Sequence, residues 1–475
     1  MKHFSYKSLD QLQQEAEQRT QYVRFESDKE KVKSLLGRKV PIGKSGILGN
    51  SMCVHPMEGC DSDLDGNPDE LTWRRYERFA AGGAKLIWFE ATAVRKDGRA
   101  NARQLWIHDG NVDAYAKLLA KILEIHKERF GTTEDLVIPI QLTHSGRYSY
   151  PNRIIAYHNP LIDTKTNTPA SQAAISDAEL EELEDWYVKA AKLAWKAGFR
   201  AIDLKVTHGY LLAELMGAKT REGRYGGSLE NRTRFIRNVI EKIKAEFGDE
   251  MLIAMRLGCF DSVPYRMNEQ TKSGEPLPYE TPYPYGWGVN PEDPLSEDLT
   301  EVKQAIGWFK TWGVQLLNVS IGCPYYNPHI GRPFEKPDEG NYEEPEHPIV
   351  GVDRHFRISG QLQQAFPDLP MVGTGYSWLQ IYAINAAARN IEQGRIQIFG
   401  LGRGTLSYPD FAVDALKKGE LDEIRVCKTL TYCTFLMRQK NHPLGQFPAG
   451  CPPFDKLVYG PIMKQAREAF RSQQK

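Results

Sequence analysis

Three side chains that could perform acid–base chemistry lie close together in the segment 203–210. Lys205, His208 and Tyr210 stand at or just beyond the end of an apolar run, residues 201–206. A histidine and a tyrosine in such a position can hydrogen-bond one substrate oxygen and deliver a proton nearby. A lysine with a lowered pKa could instead form a Schiff base with a carbonyl substrate. The tripeptide His-Gly-Tyr by itself also fits a buried structural histidine, so the surrounding elements must decide.

Eight short apolar runs alternate with amphipathic stretches along the chain, from residue 46 to residue 402. Several runs are apolar at consecutive positions, which is typical of parallel strands covered by helices. Helices are predicted to include residues 74–81, 112–129, 177–197, 229–247, 301–312, 356–366, 379–389 and 410–418. This alternation predicts either a TIM (β/α)8 barrel or a doubly wound sheet. No G-x-G-x-x-G motif follows any of the runs, which favours the barrel.

The chain is long enough for one elaborated barrel, with 475 residues of which 41% are hydrophobic. We predict an N-terminal helical extension over residues 1–39, a barrel over 40–420 and a C-terminal helical tail over 421–475 that packs on the barrel. Two long insertions rich in Pro and Tyr, residues 262–297 and 324–350, follow strand ends, where barrel active sites are built. For residues 262–297, a lid and a surface elaboration are equally expected. Residues 324–350 are expected to lie on the surface.

Composition argues against nucleic acid and membranes as partners. Lys and Arg total 61, and Asp and Glu total 61, so the net charge is zero and creates no field that would attract polyanions. No run of about 18 apolar residues occurs, and the polar beginning of the chain does not resemble a signal peptide. The 7 cysteines, an odd number, suit free thiols in a reducing compartment. We therefore expect a cytoplasmic protein; its oligomeric state, a homo-oligomer included, stays open.

The segment 203–210, followed by Tyr-Gly-Gly-Ser-Leu-Glu-Asn-Arg at residues 225–232, closely resembles the old yellow enzyme family. That family includes 2,4-dienoyl-CoA reductase and trimethylamine dehydrogenase. Further matches recur in the same order between Gly46 and Phe411. The resemblance implies an FMN-binding TIM barrel and a flavin-dependent oxidoreductase that takes electrons from NADH or NADPH and acts on a small-molecule substrate.

The resemblance also implies roles for individual residues. Tyr210 would donate a proton, while His208 and Lys205 would hold the activating oxygen of the substrate. Arg256 would lie near N1 and O2 of the flavin, where a cation stabilises negative charge on the reduced ring. Arg403 would bind the phosphate with two parallel hydrogen bonds. The residues implied to bind FMN are Pro56, Met57, Glu58, Ala91, Gln141, Arg256, Gly375, Gly402 and Arg403.

Two positions depart from the family pattern. Lys205 stands where the family usually has His, or Tyr in trimethylamine dehydrogenase, and Glu58 stands where it often has Thr or Cys. One hypothesis is that Lys205 holds a substrate oxygen that carries or develops negative charge, such as a carboxylate, phenolate or enolisable carbonyl. The alternative is that Lys205 forms a structural ion pair with Glu58 or Glu90.

Larger family members carry an iron–sulfur cluster on four closely spaced cysteines just after the barrel. Here the corresponding region contains only Cys427, Cys433 and Cys451, whose number and spacing do not match that motif. We therefore expect no metal site.

The favoured function is hydride transfer to an alkene conjugated with a carbonyl or carboxyl group. An oxidative alternative within the same family is dehydrogenation or demethylation of an amine or ether. A rival from another class is a flavin-free lyase or aldolase in which Lys205 forms the Schiff base. A barrel that only binds a ligand is a third alternative, against which Tyr210, Arg256 and Arg403 argue.

Overall fold

The computed structural model describes residues 3–44 and 46–473, and its centre is a closed barrel of parallel strands. The strands are β1 (Val40–Ile42), β2 (Gly46–Leu48), β3 (Met52–Val54), β4 (Leu86–Ile87), β5 (Phe89–Ala93), β6 (Pro139–Thr143), β7 (Ala201–Val206), β8 (Leu252–Gly258), β9 (Tyr265–Met267), β10 (Gly274–Pro276), β11 (Leu316–Ser320), β12 (Met371–Gly373) and β13 (Ile398–Leu401). Nine of them pair in the order β4-β3-β13-β12-β11-β8-β7-β6-β5. Trp88 alone separates β4 from β5, so these two form one interrupted strand that closes the ring. The predicted (β/α)8 barrel is thereby confirmed.

Helices cover the outside of the barrel. They are α1 (Leu9–Arg19), α2 (Lys29–Leu36), α3 (Glu70–Ala80), α4 (Val112–Phe130), α5 (Pro160–Thr166), α6 (Asp177–Lys196), α7 (Leu211–Gly217), α8 (Leu229–Phe247), α9 (Thr300–Trp312), α10 (Pro328–Gly331), α11 (Pro348–Ala365), α12 (Ala383–Glu392), α13 (Gly404–Ser407), α14 (Phe411–Lys418), α15 (Tyr432–Arg438) and α16 (Lys456–Gln473). Each of the eight predicted helices has a counterpart in this set. The capping box at the start of α6 is present, with Ser176 and Glu179 each bonding the other's backbone N–H.

The boundaries of several helices differ from the prediction, and at α11 and α12 the cause is local. Helix α11 begins eight residues earlier than the apolar periodicity indicates, because Pro348 occupies its first turn and the ring of His347 accepts from the N–H of Ile349. Helix α12 begins later than predicted. The segment before it is a 3-10 helix, Tyr376–Tyr382, which is interrupted at Gln380 by a backbone φ of 50°.

The amino end of the barrel is filled by apolar side chains. The antiparallel hairpin β1–β2 contributes Val40, Ile42 and Leu48 to a buried cluster that also contains Trp88 and Leu316 from the barrel strands. A larger cluster lies between the strands and the surrounding helices. Polar chemistry is therefore confined to the opposite, carboxyl-terminal end of the barrel.

The segments before and after the barrel both pack against it. Helices α1 and α2 contact α11, α12 and α14. Residues 439–455 between α15 and α16 form no helix, and the tail has a small apolar cluster of its own around Phe435, Tyr459 and Met463. Residues 1–2 and 474–475, the ends of the predicted extension and tail, lie outside the described residues. Within the described part, no helix is long and apolar enough to cross a membrane.

A buried carboxylate joins neighbouring strands inside the barrel. Asp203 on β7 accepts hydrogen bonds from Trp88 Nε1 (2.7 Å), Gln141 Nε2 on β6 (2.6 Å) and the backbone N–H of Arg256 on β8 (2.6 Å). Burial raises the pKa of Asp203, and the hydrogen bonds to its carboxylate oppose that rise. These contacts orient the side chain of Gln141 and hold the backbone of Arg256, two of the residues implied to bind FMN.

Replacing Asp203 should therefore destabilise the fold. Asp203→Ala leaves three buried donors without an acceptor, and we expect a loss of about 3 kcal/mol or more in the free energy of unfolding. Urea denaturation measures this quantity. The control is Asp249→Ala, which removes an exposed carboxylate paired with Lys44 and should change stability little. Similar losses for both variants would contradict a structural role for Asp203.

Candidate active site

A cavity of about 1120 Å³ opens at the carboxyl ends of the barrel strands. Its volume exceeds the roughly 300–1,000 Å³ of an ordinary small-molecule pocket, so a cofactor and a substrate can occupy it together. The predicted site residues that border it are Pro56, Met57, Glu58, Gln141, Lys205, His208, Tyr210, Arg256, Gly375, Gly402 and Arg403. The fold thus brings residues from six barrel strands and their loops to one place.

Ala91 is the exception. Its side chain is buried within β5, it does not border the cavity, and its carbonyl oxygen accepts a hydrogen bond from Gln104 Nε2. The contact with the flavin ring implied for Ala91 has no counterpart in this geometry and stays a prediction.

Glu58 is the centre of a hydrogen-bonded group in the cavity. Its Oε1 atom accepts from Lys205 Nζ at 3.0 Å and from the hydroxyl of Tyr210 at 2.9 Å. The ammonium of Lys205 also lies 3.7 Å from the centroid of the Tyr210 ring, which is cation–π geometry. Of the two carboxylates that the sequence offers as partners for Lys205, the structure selects Glu58.

The other candidate, Glu90, is engaged elsewhere. It forms a buried salt bridge with Arg75, which also binds Asp61, and its Oε2 accepts the backbone N–H of Gly59 at 2.7 Å. Burial raises the pKa of Glu90 to about 7, although the charge of Arg75 opposes the shift. Because Gly59 and Asp61 flank the turn that follows Glu58, this cluster positions the loop from which Glu58 reaches the cavity.

Tyr210 has a second hydroxyl partner that the sequence analysis did not identify. The hydroxyl of Tyr325 lies 3.1 Å from that of Tyr210, and the Tyr325 ring stacks on Tyr148 with centroids 3.8 Å apart. Because the Tyr210 hydroxyl donates to Glu58, its oxygen is the acceptor for Tyr325. Burial, followed by the negative charge of Glu58, raises the pKa of Tyr210 well above its usual value, so its hydroxyl stays protonated at neutral pH.

His208 has an unusual backbone conformation at the end of β7. Its φ is 64°, and the following Gly209 has a φ of 68°, so the chain turns sharply here before α7. Burial and the positive charges of Arg256 and Lys205 hold the pKa of His208 well below its usual value. The imidazole is therefore neutral, and it can donate one hydrogen bond and accept another.

The interior of the cavity contains a half-buried cation, Arg256, with no carboxylate salt-bridge partner in the described chain. Arg256 donates from Nη1 to the carbonyl of Pro56 at 3.3 Å, while its Nε has no hydrogen-bond partner among the described residues. Burial lowers the pKa of Arg256 to about 10, so it remains charged at neutral pH. Gln141, whose amide nitrogen is held by Asp203, presents its carbonyl oxygen as an acceptor in the same region.

The two final strand-end loops are shaped to approach a ligand with their backbone. Gly375 has a φ of 92°, and a Cβ there would lie 2.6 Å from His355 Cγ. Gly402 differs, because a Cβ there would lie 3.8 Å from the nearest atoms and meet no crowding from the chain. A side chain at position 402 would instead project from the loop where the loop borders the cavity. A glycine is expected at such a position when the backbone must contact a ligand closely.

The insertion at residues 324–350 is not merely a surface elaboration, and that expectation is wrong. Its residues Pro324, Tyr325, Pro328, Gly331, Arg332, Phe334 and Asp338 border the cavity. The insertion follows the carboxyl end of β11, which faces the site. This position directly after a strand was the feature of the sequence that could have predicted its place at the cavity. The insertion at 262–297, which carries the hairpin β9–β10, does not border this cavity in the described chain.

Comparison with known proteins identifies the family of this chain. Residues 40–273 match the model of the NADH:flavin oxidoreductase / NADH oxidase family. The chain belongs to this family. FMN is the family's cofactor, and the Arg256 guanidinium, whose Nε has no hydrogen-bond partner among the described residues, together with the uncrowded Gly402 loop fits an anionic, planar cofactor of this kind.

Two curated relatives are NADPH dehydrogenases. That of Geobacillus sp. (strain WCH70) is 32% identical over 241 residues, which are 48% of this chain and 66% of the relative. That of Clostridium acetobutylicum is 31% identical over 222 residues, which are 46% of this chain and 62% of the relative. Both alignments span less than two thirds of the relative's length.

Solved structures share the fold at low sequence identity. A complex of 2-naphthoyl-CoA reductase with 2-naphthoyl-CoA superposes with a TM-score of 0.63 and 16% identity, covering 91% of this chain and 58% of the other. Histamine dehydrogenase from Rhizobium sp. 4-9 gives 0.60 and 21%, covering 85% and 50%. An old yellow enzyme homologue from Zymomonas mobilis gives 0.56 and 20%, covering 83% and 96%.

Metal-ligating residues do not converge in the part of the chain that the structure describes. No group of three or more His, Cys, Asp or Glu side chains there could hold a metal ion. Cys427, Cys433 and Cys451 are free thiols. That the protein carries no iron–sulfur cluster stays a prediction.

The Lys205–Glu58 pair can be tested by a double-mutant cycle. The two side chains are only 3% and 11% exposed, so each single replacement strands a buried charge, which typically costs about 3–5 kcal/mol. We expect Lys205→Met and Glu58→Gln each to lower the free energy of unfolding, and the double variant to recover most of that loss. Urea denaturation of the four proteins gives the coupling energy. Strictly additive losses would show that Lys205 does not act through Glu58.

Proposed function

We propose that this protein is an FMN-dependent oxidoreductase that transfers hydride from NADH or NADPH to an activated alkene. The observation that carries the proposal is the hydroxyl of Tyr210, which donates to Glu58 in a cavity that also contains Arg256, a cation with no salt-bridge partner among the described residues. One residue can deliver a proton, and the other favours a cofactor that becomes negatively charged when reduced.

The proposed cofactor contacts are those that the family resemblance implies, and the residues concerned all border the cavity. Arg256 would neutralise charge at the pyrimidine side of the flavin, and the carbonyl oxygen of Gln141 would accept from its ring N–H. The loops at Gly375 and Gly402, with Arg403, would hold the phosphate. When bound, FMN would supply the hydride chemistry.

Tyr210 is the proposed proton donor to the substrate carbon. Its proton would turn from Glu58 to the substrate, so that the Tyr210 O–H bond breaks as a C–H bond forms. The Tyr325 hydroxyl donates to the Tyr210 oxygen, and the Lys205 ammonium lies over its ring, so both stabilise the phenolate that remains. His208, neutral and at the cavity surface, is the proposed donor to the activating oxygen of the substrate.

The ion pair changes the expected substrate charge. Because Glu58 neutralises Lys205, this part of the site carries no excess positive charge. We therefore propose that a neutral conjugated carbonyl is accepted as well as a carboxylate. Burial lowers the pKa of Lys205, and the charge of Glu58 opposes that fall, so the ion pair counteracts the depressed pKa that a Schiff-base lysine needs. The ion pair also argues against amine oxidation, since Lys205 already occupies the carboxylate that would attract a substrate ammonium.

The first test identifies the cofactor and the electron donor. Flavin released by heat denaturation should be FMN, and anaerobic addition of NADH or NADPH should bleach the absorbance of the bound flavin. A conjugated enone should then restore it. Failure of the protein to bind flavin at micromolar FMN would contradict the proposal.

The second test concerns Tyr210. Tyr210→Phe removes the proton donor, and we expect it to slow reoxidation of the bound flavin by the enone by about 10²-fold or more, the usual contribution of general acid catalysis. Reduction by the nicotinamide should change little, because that half-reaction needs no proton from Tyr210. Stopped-flow absorbance separates the two half-reactions.

The matched control is Tyr225→Phe. The hydroxyl of Tyr225 likewise donates to a glutamate, Glu184 at 2.8 Å, but Tyr225 does not border the cavity. This variant should reoxidise at the unaltered rate. Equal slowing in both variants, or none in Tyr210→Phe, would remove Tyr210 from the proposed mechanism.

A further inference from the structure

Two guanidinium groups, that of the buried Arg332 and that of the half-buried Arg403, face the same end of the cavity without a carboxylate. Arg332 comes from the insertion that follows β11, and Arg403 follows β13; both border the cavity beside Gly402. Neither forms a salt bridge with any described residue, although the described chain contains many ion pairs. Two neighbouring unpaired cations are unfavourable unless an anion lies between them or beside them.

Arg332 has unused hydrogen-bonding capacity. The residue is 9% exposed, and its Nε and Nη1 atoms have no hydrogen-bond partner among the described residues. Its Nη2 donates only to the sulfur of Cys427, at 3.3 Å, which is a weak acceptor. The edge of the guanidinium that bears Nε is therefore free to donate to a ligand.

Arg403 is affected by the charge of Arg332. Its Nη1 donates to the hydroxyl of Thr434 in the C-terminal tail. Burial, followed by the nearby charge of Arg332, lowers the pKa of Arg403 to about 9.

A third arginine at the cavity shows the contrasting case. Arg438 also borders the cavity, but it forms a salt bridge with Asp338 at 2.9 Å. The chain therefore supplies a carboxylate for this arginine and leaves the pair Arg332 and Arg403 unneutralised.

The shape of this region indicates the kind of anion. The glycine loops at Gly375 and Gly402 bring backbone to the same end of the cavity, and the hydroxyls of Thr374 and Ser377 border it as well. Several donors around two guanidinium groups suit a tetrahedral dianion better than a planar carboxylate, which one arginine can satisfy alone.

We propose that Arg332 is a second guanidinium ligand of the FMN phosphate, opposite Arg403. The inference rests on the proposed function, since it takes FMN as the cofactor. It assigns a binding role to the insertion after β11, and it implies that the chain discriminates strongly between FMN and riboflavin, which lacks the phosphate.

The experiment compares the two flavins on the apoprotein. Dissociation constants for FMN and riboflavin are measured from the quenching of flavin fluorescence, for the unaltered protein, Arg332→Gln and Arg332→Lys. Loss of a charge-assisted contact should weaken FMN binding by about tenfold or more in Arg332→Gln. Riboflavin binding should be unchanged, and Arg332→Lys should be intermediate because it keeps the charge but loses the paired N–H geometry.

The control is Arg153→Gln, which removes a positive charge from an exposed arginine that also borders the cavity. It should leave the preference for FMN over riboflavin nearly unaltered. The melting temperature of each apoprotein is a second readout. Because Arg332 repels Arg403 when no anion is bound, Arg332→Gln should not lower that temperature, whereas the increase caused by saturating FMN should shrink.

The outcomes separate the two proposals. If the unaltered protein binds neither flavin, the proposed function fails. If it binds FMN, but Arg332→Gln keeps the same preference for FMN over riboflavin, the phosphate role of Arg332 is wrong. Equal weakening of both flavins, or a lowered apoprotein melting temperature, would assign Arg332 a structural role and also overturn the inference.

Discussion

The carboxylate of Asp203 lies inside the barrel, where it accepts hydrogen bonds from three neighbouring chain segments, and the site depends on this arrangement. The donors are Trp88, at the break between β4 and β5, Gln141 on β6 and the backbone of Arg256 on β8. A buried carboxylate is costly unless its lone pairs are satisfied, so these donors must keep their positions. One carboxylate thus links β6, β7 and β8 to Trp88 at the interruption of the ring; it orients the Gln141 side chain and holds the backbone of Arg256.

Charge in the cavity is distributed in two contrasting ways. Around Tyr210 the chain neutralises its own charges, because Glu58 pairs with Lys205 and the Asp61–Arg75–Glu90 cluster holds the loop behind it. At Arg256 and around the loops that follow β12 and β13, the chain leaves cations without carboxylate partners among the described residues. A ligand that is anionic at one end and reacts at the other would satisfy both regions, and this polarity agrees with a bound flavin phosphate beside a largely neutral substrate pocket.

Segments outside the regular barrel contribute much of what distinguishes this site. The insertion after β11 provides Tyr325 and Arg332, and the C-terminal tail provides Cys427 and Thr434, which contact Arg332 and Arg403. These parts lie beyond residue 273, where the family match ends. The cavity formed by the barrel strands is therefore completed by residues of the insertion after β11 and of the C-terminal tail.

The sequence alone determined the barrel, because eight apolar runs separated by amphipathic helices can bury their apolar faces in few other ways. The resemblance of the strand ends to the old yellow enzyme family pointed to Tyr210, His208, Arg256 and Arg403; all four border the cavity, and their roles stay predictions. Only the tertiary structure decided that Lys205 pairs with Glu58 rather than Glu90, that Ala91 lies away from the cavity, and that Tyr325 and Arg332 reach it. These outcomes depend on contacts between residues more than 100 positions apart, such as Tyr210 with Tyr325 and Lys205 with Glu58. Local periodicity and spacing carry no information about which of several possible partners lies within hydrogen-bond distance.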